Sequence, residues 1–124
     1  MKFSRLVFLI AGIYGLVVLL PQYFMETKTG RDYPPPITHP EFYYGFLGVA
    51  TAWQIAFFIV SRNPVRYRAL MIPSIIEKLS FAIAAVVLYL QQRLAPTMLA
   101  AGIIDLIFAA LFALAYLKLR NEKQ

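Results

Sequence analysis

The stretch LMIPSIIEKLSFAIAAVVLYL, residues Leu70–Leu90, decides how this chain folds. It is almost wholly apolar, and a helix needs about 20 such residues to cross a hydrocarbon core of about 30 Å. It also holds an acid and a base side by side near its middle, Glu77 and Lys78. Three further apolar runs match it in length and character: Leu6–Leu20 (extending toward Phe24), Phe42–Val60 and Pro96–Leu117. Short connections between most of these runs favour sequential antiparallel neighbours. The pattern predicts an all-α, transmembrane, up-down four-helix bundle in a single domain over residues 1–124. The helices are expected at about 4–24, 42–61, 69–92 and 95–118, with an extracytoplasmic loop at about 25–41.

Composition agrees with that reading. The chain is 60% hydrophobic and 15% charged, with a mean hydropathy of +0.66. A soluble domain is about half apolar and about a quarter charged. Cysteine is absent, which removes disulfides, thiolate metal ligands and thiol nucleophiles from consideration. The net charge of +6 raises nucleic acid as a partner, but the basic residues fall between apolar runs and form no patch. The first run follows Lys2 and Arg5 as a signal peptide would. Its LLPQYFMET continuation offers no small-x-small cleavage site, so a retained helix is expected.

Basic residues then orient the bundle. Lys2 and Arg5 precede the first run, Arg62, Arg66 and Arg68 lie in SRNPVRYR, and Lys118, Arg120 and Lys123 lie in the LKLRNEKQ tail. The other two connections hold only Lys28, Arg31 and Arg93. By the positive-inside rule both termini face the cytoplasm. Tyr23, Phe42, Tyr43, Tyr44 and Tyr89 sit as an outer aromatic belt, and Tyr67 and Tyr116 as an inner one. SRNPVRYR is a topogenic loop whose arginines also suit anionic headgroups.

The outer connection carries YPPPITHP, which favours extended polyproline geometry and a stiff strap across the surface. His39 and Glu41 there are two candidate metal ligands, too few for a site, and no metal or cofactor is expected. No phosphate-binding glycine loop, nucleophile triad or zinc motif appears, so no catalytic residue is assigned.

Each apolar run holds a polar group near its centre. At 1.5 Å per residue, Asp105 lies almost at the midplane, Glu77 about 4–5 Å from it and Gln54 about 3–4 Å from it. Tyr14 sits near the middle of the first run. Helical periodicity places Pro73, Glu77, Ser80 and Ala84 on one face, and Ala101, Asp105 and Ala109 on another beside Gly102. Ala11 with Gly15, and Gly45 with Gly48 and Ala52, form comparable small-residue stripes. Small residues let membrane helices approach closely, so these faces are expected to point inward.

An ionisable group at the bilayer centre costs roughly 2.5–3.5 kcal/mol on insertion scales and usually pairs or faces a polar cavity. Adjacent residues on a helix diverge by about 100°, so Glu77 and Lys78 do not share a direction. Lys78 is expected to reach Asp105 or Gln54, or else to snorkel toward the headgroups. A Glu77–Lys78–Asp105 network with one proton shared between the acids is the favoured arrangement. It serves as glue that sets helix register, as a ligand or proton site, or as a subunit interface. Trp53, beside Gln54, either packs in the core or lipid or presents a flat ring to a lipophilic ligand. The candidate polar cluster is therefore Glu77, Asp105, Lys78, Gln54, Trp53, Tyr14 and Ser80.

FYYGFLGVATAWQ, SRNPVRYR, IPSIIEKLSF and AGIIDLIF together resemble small bacterial four-helix membrane proteins of the DoxX-like neighbourhood. The resemblance covers the chain from Phe42 onward and implies a bundle in the bacterial inner membrane. Two functions remain in view. One is a non-enzymatic structural or accessory subunit that contacts membrane lipids, other membrane subunits or its own copies. The other is a small transporter or a binding protein for a quinone- or lipid-like ligand, with a protonatable Glu77/Asp105 pair. Whether the polar slab surrounds a cavity or is sealed by side chains separates them.

Overall fold

The computed structural model describes residues 1–120; the polar end of the tail, including Lys123, lies outside the described residues. The described residues form an all-α bundle without strands. Its five α-helices are α1 (Lys2–Leu19), α2 (Glu26–Asp32), α3 (Pro40–Arg62), α4 (Met71–Leu90) and α5 (Pro96–Lys118). Short 3-10 turns at Leu20–Phe24 and Arg68–Leu70 extend α1 and lead into α4. With those turns included, four helices are long and apolar enough to cross a membrane.

Local chemistry accounts for the helix ends. α3 and α5 both begin on proline, whose missing N–H costs nothing in a first turn. Glu41 at the start of α3 and Arg62 at its end complement the helix dipole. Pro73 is tolerated within α4 because it lies in the first turn, where N–H groups have no helical partner. α4 closes with Gln92 at φ 59°, a left-handed position usually taken by glycine. Two bonds complete that cap: Gln92 N–H donates to Tyr89 O at 2.9 Å, and Arg93 N–H to Leu88 O at 2.8 Å.

The bundle consists of two antiparallel hairpins, α1 with α3 and α4 with α5. α1 also packs on α5, whereas α3 and α4 scarcely touch. At the end carrying the start of α1 and the last turns of α5 the hairpins interlock through Val7, Phe8, Phe57, Met71, Phe112 and Ala115. There the Phe8 and Phe112 rings stack at 4.1 Å, and Phe57 meets both edge-on. At the opposite end the core is Leu19, Leu47 and Ala50 with Tyr23, Tyr43 and Tyr44, all from the first hairpin and its turn. The hairpins are thus joined at one end and parted at the other.

The connection expected at about 25–41 as a plain outer strap contains α2. Glu26 in its first turn, Arg31 in its last, and a Lys28–Asp32 ion pair of 2.5 Å one turn apart support this short helix. The Lys28 ammonium holds the Asp32 carboxyl below the usual carboxylate range. Tyr44 donates to Glu26 Oε1 at 3.0 Å, and Tyr33 shares a 2.9 Å hydrogen bond with Thr97 at the start of α5. These bonds hold the strap over the parted end. His39 and Glu41 lie 3.6 Å apart on the exposed surface, and no group of three metal-ligating side chains gathers among the described residues.

Two expected inward faces are corrected. Ser80 and Ala84 are exposed, and α4 instead buries Met71, Ser74, Lys78, Ala82 and Ala85. Gly45, Gly48 and Ala52 are also exposed, and α3 buries Leu47, Ala50, Gln54, Phe57 and Val60. In a bilayer, small residues incur no penalty facing lipid, so a small stripe alone does not fix direction. Close approach decides it instead. A Cβ on Gly102 of α5 would lie 2.5 Å from that of Ala85, which seats α4 with Ala82 and Ala85 inward. A Cβ on Gly15 of α1 would overlap the Gln54 side-chain amide, which seats α3 with Gln54 inward.

Candidate functional site

Between the parted hairpins lies a cavity of about 940 Å³, within the range of small-molecule pockets. Tyr14, Gln54, Glu77, Lys78 and Asp105 line its deep part. Apolar side chains make the walls, among them Val18, Phe46, Phe81 and Met98. Asp32, Tyr33 and Arg93 stand at the mouth, under the strap and beside the α4–α5 turn.

The deep polar groups are unequally satisfied. Lys78 lies in the buried stripe of α4, with its side chain 4% exposed, and donates to Asp105 Oδ1 at 3.4 Å. Its ammonium also sits 5.3 Å from the Phe57 ring centre and 5.4 Å from that of Phe108. Those aromatic faces add favourable electrostatics to a charge removed from water. The pair joins α4 to α5, so snorkelling is not what this lysine does.

Glu77 stands beside the pair. Its Oε2 is buried and has no hydrogen-bond partner. The expected three-residue network is therefore an ion pair with an unmatched carboxyl next to it. Gln54 is 2% exposed, and its Nε2 donates to Ala50 O at 2.8 Å within its own helix. That bond orients the amide and leaves Oε1 as a buried acceptor without a partner. Tyr14 lies against Phe108, with ring centres 5.6 Å apart.

Two of the seven expected residues stand apart from this arrangement. The exposed Ser80 hydroxyl donates to Glu77 O at 2.9 Å in its own helix. Trp53 is half-buried against the Phe8–Phe57–Phe112 core, 6.4 Å from the Phe57 ring centre, and does not line the cavity. Sequence reasoning missed the strap's contribution, although Glu26, Arg31 and the Lys28/Asp32 spacing signal a helix there. It also missed Phe81 and Met98, which look like any other membrane-facing residues until the hairpins part.

Comparison of the chain with family models, curated proteins and solved structures finds no match.

Proposed function

We propose that this multi-pass protein binds a lipophilic small molecule between its two hairpins, with the ligand's polar end at the deep cluster. The observation that carries the reading is the cavity of about 940 Å³ with Gln54, Glu77, Lys78 and Asp105 at its base. Apolar walls with a few convergent polar groups are the usual form of a ligand site. A sealed polar slab would have favoured a purely structural or accessory subunit. The Lys78–Asp105 pair also ties α4 to α5, so the cluster supports packing as well.

Binding is favoured over transport. The stacked Phe8, Phe57 and Phe112 core closes the terminal end, and passage would require those rings to separate. Of the two acids, Asp105 is engaged by Lys78 and Glu77 is not. The positive-inside count and the DoxX-like resemblance support a bacterial cytoplasmic membrane location with both termini cytoplasmic. Membrane lipids cover the exposed apolar faces in this reading, and those faces also suit self-association or other membrane subunits.

The test is native mass spectrometry of the full chain released from membranes in lipid particles, beside Ala101→Phe. Ala101 lines the cavity, and a phenyl ring there would obstruct it beside Asp105, one turn along α5. The wild type is expected to carry a small-molecule adduct that the variant lacks while keeping its helical content. Wild type and variant carrying the same adducts, or the wild type holding only protein subunits, would overturn the reading in favour of an accessory role.

A further inference from the structure

The charge balance of the cavity narrows the chemistry of its occupant, an inference that rests on the ligand-binding reading above. Five ionisable acids and bases line it: Asp32, Glu77, Lys78, Arg93 and Asp105. Lys78 is matched by Asp105 at 3.4 Å, and Asp32 by Lys28 at 2.5 Å. Arg93 donates to Gln91 Oε1 at 3.1 Å at the exposed mouth. Thirteen residues of α4 separate Glu77 from the helix end at Leu90, which sets that mouth about 20 Å away along the axis. Glu77 is the lining carboxyl for which no ion-pair contact forms among the described residues.

Hydrogen bonding points the same way. Among the residues that line the cavity, Glu77 Oε2 and Gln54 Oε1 are buried acceptors without a partner, Gln54 Oε1 lying against Gly15 of α1. A buried acceptor without a donor is costly, and more so when it is charged. A ligand carrying its own carboxylate or phosphate would add acceptors and repulsion at this depth. An ammonium supplies three donors and the missing positive charge.

We propose that the cavity selects an ammonium-headed amphiphile, its head at the Glu77 carboxyl and its chain along the apolar walls toward the strap. The shared chemistry is a primary ammonium on an apolar body, from a free long-chain amine or from an aminophospholipid headgroup.

Three probes of one chain length test this: dodecylammonium, dodecanol and dodecanoate, titrated into the full chain in phosphatidylcholine nanodiscs. Binding is read by native mass spectrometry against empty discs. Dodecylammonium is expected to bind at least tenfold more tightly than dodecanol, with dodecanoate weakest. Glu77→Gln should abolish that preference and leave dodecanol binding in place. Competition by added phosphatidylethanolamine assigns the ammonium to a lipid headgroup, and its absence to a free amine. Dodecanol or dodecanoate binding as tightly as the amine, or a preference that survives Glu77→Gln, overturns the ammonium assignment while the cavity reading stands. If none of the three binds above the empty disc, both fall.

Discussion

Lys78 is the residue on which the interior turns. A cation this deep persists because Asp105 and two aromatic faces compensate for lost hydration. Breaking such a pair from one side leaves an uncompensated charge. Lys78→Met is expected to destabilise the folded chain by about 3 kcal/mol, measured by detergent-titrated unfolding in mixed micelles. Lys78→Met combined with Asp105→Asn should recover most of that loss, because neither member of the pair is then left as a charge without the other. A double variant no more stable than the single one would show that the pair contributes by shape rather than charge. The sequence placed Asp105 inward through Ala101, Gly102 and Ala109, and the structure has Gly102 and Ala109 buried on that side. It misjudged the neighbouring helix by one residue, taking Pro73 and Ala84 for inward positions where Ser74 and Ala85 are buried. Helix periodicity lists which residues share a face, but choosing the inward face requires knowing what packs against it.

At the scale of elements, the α4–α5 turn and the strap shape the cavity mouth. The turn uses a left-handed Gln92 where glycine would be unstrained. Gln92→Gly is expected to raise stability by about 0.5–1 kcal/mol in the same unfolding assay. A loss of stability would mean that the Gln92 side chain contributes more at the mouth than its backbone costs. The strap's helix is not legible in YPPPITHP, because the charge spacing that supports it, Glu26 to Asp32, lies just before the prolines. α2 has only 7 residues, too few to stand as an isolated helix in water. It depends on the bonds from Tyr44 and the Lys28–Asp32 pair, and the Tyr33–Thr97 bond fastens the segment just after it.

For the whole molecule, the governing fact is that the hairpins meet at one end only. The absence of cysteine allows that asymmetry to be mapped with single-cysteine variants and a charged, membrane-impermeant thiol reagent. Ala101→Cys, lining the cavity, should react when reagent is added from the strap side. Ala109→Cys, at 2% exposure on the same helix, should stay protected. Equal protection of both would mean that the hairpins close together in the bilayer and that the cavity is not reached from solvent.

Apolar runs of membrane-spanning length, punctuated by proline and basic residues, were sufficient for the sequence by itself to determine an all-α bundle and the depth of its polar groups. Those properties follow from residue counts and the hydrocarbon thickness. Which face of α3 and of α4 turns inward, which of its candidate partners Lys78 takes, the unmatched Glu77 and the cavity itself were decided only by tertiary structure. Lipid and protein interior are both apolar, so hydropathy does not distinguish outside from inside along these helices. The distinction comes from steric fit between helices, at Gly15 against Gln54 and at Gly102 against Ala85, and a linear sequence does not contain that fit until the helices meet.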